Sequence, residues 1–228
     1  MSLRDQVSRF GDSDAGLSII LAIQMSIVFV VAPLAATEAA SVQLVEMLRF
    51  GLAVTTILIV ARNPALRTAL GLTFVATLFV SLHWQLGTTA SAIAIAKIVI
   101  TLAFDVIVAT VVACAAFGPG KVTIHRILGA VILYLYVGLI FAGFYRLAVV
   151  GFASAFRGLP TGQRAQFSEL LYFSLSALTT AGGSDIIAQH PLVRSLSSLE
   201  AVIGQLYPAT LLARLVTLHA SDRVNERA

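Results

Sequence analysis

Residues 177–185 read A-L-T-T-A-G-G-S-D. Two threonines, a serine, an aspartate and two glycines are gathered in a chain that is otherwise mostly apolar. The chemistry open to them is cation coordination. Hydroxyl and carbonyl oxygens can replace the water around an ion, and glycine lets a backbone turn its carbonyls to one side. Four other places put polar chemistry inside apolar runs: Glu46 with Arg49, Lys97 with Asp105, Glu200 with Ser176 in reach, and Gly204 with Pro208. None of these supplies a paired nucleophile and base or a His, Asp and Glu cluster, so an intramembrane enzyme is disfavoured.

The elements that must position these groups follow from composition. The chain has 228 residues, 58% hydrophobic and 11% charged, against roughly 25% charged in soluble domains. So much apolar surface cannot hide in one core, and a polytopic membrane protein is expected. Spans are predicted at 15–36, 42–61, 66–84, 88–117, 122–150 and 191–219. Asp12, Ser13 and Asp14 suit a helix start. Pro64 and Pro191 suit first helical positions, and Gly118-Pro119-Gly120 is a strong breaker. A cleaved signal peptide competes for the N-terminus, but its apolar core would be roughly 7–15 residues, and the first run is longer. Arg4, Arg9, Arg62, Arg67, Lys121, Arg126, Arg214, Arg223 and Arg227 fall on one side of this topology, and Arg157, Arg164 and Arg194 on the other. That asymmetry predicts six spans with both ends cytoplasmic. Cys114, the single cysteine, reads as a small buried hydrophobe. No basic face with aromatics exists for nucleic acid.

Between the last two spans, residues 166–180 are too few to cross. Ser168 is a plausible cap, and Phe167, Leu170 and Leu171 give apolar surface. A half-length helix, a polar glycine-bearing stretch and a full span together read as a re-entrant loop. Non-helical backbone survives at membrane depth only where protein or a water-filled cavity surrounds it. The partly negative C-terminal end of the half-helix favours a cation.

The last third of the chain resembles the pore module of the tetrameric potassium-channel superfamily. The family's filter is T-x-G-Y-G, usually preceded by Thr and followed by Asp. Thr179, Thr180, Gly182 and Asp185 keep that pattern, while Gly183 replaces the aromatic and Ser184 the second glycine. Pro191 to Tyr207 resembles the inner helix of bacterial members. The resemblance implies an all-α membrane protein with six transmembrane helices, a re-entrant pore helix and a filter loop between the last two, tetrameric. Its domains would be a four-helix membrane domain at 1–120 and a pore domain at 121–228. The latter would hold an outer helix at 122–150, a pore helix at 167–180, a filter at 179–185 and an inner helix at 191–219. One pore segment per chain implies a C4 homotetramer.

In the family, Thr180 would give its hydroxyl and carbonyl, and Ala181 its carbonyl, to inner ion sites. Gly182 and Gly183 would form the outer ones, and Asp185 would concentrate cations at the mouth. Without the ring, and with Ser184 where glycine permits a positive φ, a wider outer filter with two inner sites at most is expected. Gly204 and Pro208 read as a gating hinge or as close packing with a static kink. Glu200 is expected to brace the filter through Ser176 or backbone amides. Glu46 and Arg49 share a helix face and are expected to form a buried ion network with Lys97 and Asp105. One lysine cannot give steep voltage dependence when each charge is worth about 2.3 kcal/mol per 100 mV. The expected function is a cation channel subunit in a bacterial plasma (inner) membrane, passing potassium or poorly selected monovalent cations, with no cofactor beyond permeant K⁺ or Na⁺. The rival is a non-conducting channel-like scaffold or regulatory subunit. Membrane lipids are the other expected partner.

Overall fold

The computed structural model of the chain describes residues 14–36, 48, 51, 64–85, 91–117 and 124–225. Six helices make up most of them. The first, α1, begins as Asp14–Ser26, passes through a π-helical stretch at Ile27–Val31 and ends as Ala32–Ala36. Pro33 accounts for the π stretch. It has no N–H for the carbonyl four residues back. The ladder shifts register, and the Ala32 N–H donates to the Ile27 carbonyl. There follow α2 (Pro64–Gln85), α3 (Ser91–Phe117) and α4 (Ile124–Gly151). Then come β1 (Phe156–Arg157), α5 (Gln163–Leu178), β2 (Ile187–Ala188) and α6 (Pro191–Asn225).

Pro64 and Pro191 are the first residues of α2 and α6, where a missing N–H costs nothing. The first, third, fourth, fifth and last expected spans are each helical over their described residues. Of the second, 42–61, only residues 48 and 51 are described, and Glu46 and Arg49 lie outside the described residues. Among the described residues, two helices are long and apolar enough to cross a membrane, at Ala94–Cys114 in α3 and Arg126–Gly151 in α4, and Ser18–Leu34 in α1 is a shorter apolar stretch. On α2, Leu72, Val75 and Phe79 are among the most exposed side chains, while Leu70 is fully buried. A helix apolar on its outer face as well as its inner one belongs in a large core or in lipid.

Three expectations are corrected. The half-helix begins at Gln163, capped by extended Gly162, so Ser168 lies inside it rather than at its start. β1 and β2 pair antiparallel, with Phe156 opposite Ala188 and Arg157 opposite Ile187, so the described residues are not wholly helical. Cys114 is exposed rather than buried.

Packing centres on α4, which contacts α1, α3, α5 and α6. One core cluster joins α1 to α4 through Ile20, Leu70, Phe104, Val108, Ile132 and Tyr136. A second gathers Phe141, Tyr145, Leu170, Ile186 and Val193 around the loop end of α4, α5 and α6. A third seats Val28 and Ala32 of α1 against Ala142 of α4 and Leu171 of α5. The expected domain division at 120/121 falls in the α3–α4 connection, and the two halves meet along α4 and at this third cluster.

Candidate functional site

The site is built by α5 turning back between α4 and α6. Its 16 residues extend about 24 Å at 1.5 Å per residue. The tip meets Tyr134 of α4, whose hydroxyl donates to the Leu178 carbonyl at 3.1 Å. Tyr134 stands 17 positions before Gly151, the end of α4, about 25 Å along the helix. On the other side the tip meets Gly204 of α6, where an added Cβ would overlap the Leu178 carbonyl. Glycine is therefore needed here for close approach. Pro208 lies inside α6, and the helix continues through it.

The last carbonyls of α5 are all engaged. Leu175 accepts from the Thr179 N–H at 3.0 Å, Ser176 from Gly182 N–H at 3.4 Å and Ala177 from Thr180 N–H at 3.0 Å. Tyr134 serves Leu178. The four carbonyls that a helix end normally leaves open are thus met, and the oxygens still to be assigned are those of the loop itself.

From the tip the chain runs back through Thr179–Asp185 towards the loop end of α4, where the Asp185 carbonyl packs beside Gly158. Thr179, Thr180, Ala181, Gly182, Gly183 and Asp185 are exposed, whereas Leu178 before them and Ile186 after them are buried. The two ends are therefore fixed, and the oxygen-bearing stretch faces away from the chain's own core. Thr179 is right-handed helical, with φ −85°. Thr180, Gly182 and Gly183 have φ of 55°, 68° and 89°. The sign of φ changes from Thr179 to Thr180 and again into Gly182, whereas Gly182 and Gly183 are both positive, so the alternation that turns successive peptide groups to one side ends at Gly182.

This geometry corrects the expectation for Ser184. The strained non-glycine residue is Thr180, the one such residue with positive φ among those described, and Ser184 is not in that region. The Ser184 hydroxyl is buried and has no hydrogen-bond partner within the described chain. Gly183, by contrast, does need its freedom.

Three side chains hold the loop. Thr179 turns its hydroxyl back to the Leu175 carbonyl at 2.7 Å. Gln205 of α6 donates from Nε2 to Thr180 Oγ1 at 2.6 Å. Tyr172 of α5 donates to the Gly183 carbonyl at 3.0 Å. Neither Gln205 nor Tyr172 was singled out in the sequence. An exposed-looking Gln on an inner helix and a Tyr on a half-helix carry no local signal of a partner 25 or 11 residues away.

Glu200 is fully buried, and its hydrogen-bond partners are neither the Ser176 hydroxyl nor the backbone amides expected from the sequence. Its carboxyl accepts from Ser174 Oγ at 2.5 Å and from the Tyr145 hydroxyl at 2.6 Å. Ser174 also donates to the Gly138 carbonyl at 2.7 Å. This clasp ties α6 to α5 and α4. Tyr145, Phe156 and Phe173 surround it edge to face, with centroids 5.1–5.7 Å apart. Ser176 lies two positions on, about 200° round the helix. It enters the site through its carbonyl rather than its hydroxyl.

Of the expected ion network, Asp105 is buried and Lys97 half-buried. They lie eight positions apart on α3, about 12 Å along its axis. Lys97 lines a cavity with Arg146 and Gln166. Among the described residues no group of three or more His, Cys, Asp or Glu comes together to hold a metal. Chemically, the exposed hydroxyls and carbonyls of 179–183, with the Asp185 carboxylate beyond them, suit a hard cation that has shed part of its water. No protein-family model, curated protein or solved structure matches this chain.

Proposed function

We propose that the chain is one subunit of a tetrameric, cation-conducting membrane pore of potassium-channel type. Six spans and a re-entrant α5 would sit in a bacterial plasma membrane with both chain ends cytoplasmic. The carrying observation is the course of α5 and the loop after it. A helix of 16 residues is too short to cross a hydrocarbon core of about 30 Å. It ends on Tyr134 and Gly204, deep within α4 and α6, and hands over to an exposed oxygen-rich stretch that climbs back. Seven residues from Thr179 to Asp185 span at most about 23–25 Å when extended. The stretch is shorter than that limit, because Thr179 is helical and Gly182 is bonded back to Ser176, so it would line the part of the passage next to the tip, and Ile186 to His190 complete the return.

In this reading four copies of Thr180, Ala181 and Gly182 surround the axis, and Asp185 rings the mouth. Engagement of the Gly183 carbonyl by Tyr172 leaves the inner positions as the ion sites. The same contact, with the Gln205 bond to Thr180, favours the second reading, a non-conducting channel-like scaffold or regulatory subunit, because ligands already satisfied within the protein bind ions less well. Flux decides between them. Purified protein in liposomes should pass K⁺, and less selectively Na⁺, down a gradient. Absence of flux for K⁺, Na⁺ and larger monovalent cations at every voltage would overturn the channel reading.

A further inference from the structure

We infer that Gln205 of α6 is a positioning residue that sets how tightly the oxygen of Thr180 holds a cation. The inference rests on the reading of 179–185 as a cation site. Thr180 is where that stretch is strained. It is β-branched and has φ of 55°, a conformation that persists only where neighbours hold it. Two contacts do so. The Thr180 N–H donates to the Ala177 carbonyl at 3.0 Å, and Gln205 donates from Nε2 to Thr180 Oγ1 at 2.6 Å. The first is local to the end of α5. The second comes from another helix, 25 residues on.

A fixed piece of backbone presents the Gln205 amide. Gly204 before it packs against the Leu178 carbonyl. Tyr207 after it donates to the Ala130 carbonyl at 2.7 Å. The Tyr207 ring lies 5.5 Å from that of Tyr134, whose hydroxyl holds Leu178 in turn. The amide is therefore aimed by α4, α5 and α6 together. Gln205 and Thr180 are both exposed, and a bond between exposed groups adds little to stability. Its consequence lies in the hydroxyl oxygen, which has two lone pairs. The amide N–H takes one of them and brings the positive end of its dipole to the atom that a cation must share. Both effects weaken the site. Conduction needs a site that an ion can leave as well as enter, and a donor supplied by α6 provides that.

The test is K⁺ binding, measured by titration calorimetry on the purified full chain in detergent with N-methylglucamine as the other cation. Wild type should bind K⁺. Gln205→Leu, similar in size but without the donor, should bind it roughly fivefold tighter. Gln205→Asn, too short by one methylene to reach the hydroxyl, should do the same. Thr180→Ser keeps the oxygen, and adding Gln205→Leu to it should again tighten binding. Thr180→Val keeps the β-branch and loses the oxygen, and there Gln205→Leu should bring no gain. A residue that only supported the fold would act alike in all three backgrounds. Equal or weaker K⁺ binding by the Gln205 variants, or the same gain in Thr180→Val, would overturn the inference and leave the cation reading of the loop standing. No K⁺ binding by wild type would overturn both.

Discussion

Glu200 has more acceptors around it than hydrogens to fill them. The Ser174 hydroxyl carries one hydrogen, yet lies at hydrogen-bond distance from both the Glu200 carboxyl and the Gly138 carbonyl. A hydrogen on the carboxyl completes the set, since it can serve Ser174 and release the serine's own hydrogen for Gly138. Glu200→Gln supplies such a hydrogen permanently and should leave thermal stability in detergent near wild type. Glu200→Ala leaves the buried Tyr145 hydroxyl without its acceptor, while Ser174 keeps the Gly138 carbonyl, and should cost about 1–3 kcal/mol. A Gln variant as unstable as the Ala one would show that the clasp needs an ionised carboxylate. At the loop, Tyr172→Phe removes only the hydroxyl that holds the Gly183 carbonyl. The side chain is half exposed, so stability should change by less than about 0.5 kcal/mol, while the K⁺ to Na⁺ permeability ratio should shift. An unchanged ratio would remove Tyr172 from the site. Restoring an aromatic at Gly183 is a poorer test, because its φ of 89° would strain any side chain there.

Among the elements, local chemistry is what could be read. Pro64, Pro191 and the Gly118-Pro119-Gly120 breaker mark helix ends because they act within one turn of backbone, and the apolar runs between them are long enough to be unambiguous. The start of α5 is hidden in the sequence because Gln163 and Arg164 look like polar loop, although such residues are good helix formers and only packing decides. The strands β1 and β2 have two residues each, too few for any alternation to show. Their pairing rests on contacts some thirty positions apart. The clasp around Glu200 was half legible: a carboxylate in an apolar helix announces a partner, but Ser174 and Ser176 are equally near in sequence, and only the rotation of α5 selects the first. Gly204 and Pro208, read as one hinge, separate in the structure. Gly204→Ala would drive a Cβ into the Leu178 carbonyl, and should push α6 from the tip of α5 at a cost of about 1–3 kcal/mol, with altered ion flux. Pro208→Ala touches no such contact and restores a backbone hydrogen bond, so it should raise or preserve stability. Equal loss from both would favour a shared hinge.

At the scale of the whole molecule, the single chain leaves unfinished surfaces around the site. The loop 179–183 is exposed on the side away from its own core, and the Ser184 hydroxyl is buried without a partner inside the described chain. Along α6, Leu199, Val202 and Leu206 are each more than half exposed, at the three- and four-residue spacing that makes one helix face. That face continues from the side of α6 that carries Gln205 and the loop. A neighbouring copy is the surface that would cover it, and closure around the loop as axis gives a ring rather than an open chain. In lipid, helix association depends on close packing and on polar contacts rather than on hydrophobic transfer. Asparagine on the packed face therefore loses fitted contacts, whereas asparagine on a lipid-facing helix does not disturb another subunit. Leu199→Asn with Leu206→Asn should lower the four-chain mass seen for purified protein by native mass spectrometry and abolish cation flux in parallel. Leu72→Asn on α2, an equally apolar and exposed position, should leave both unchanged. A wild-type mass of one or two chains, or tetramers that survive the α6 changes intact, would overturn the ring and with it the shared lining that a pore requires.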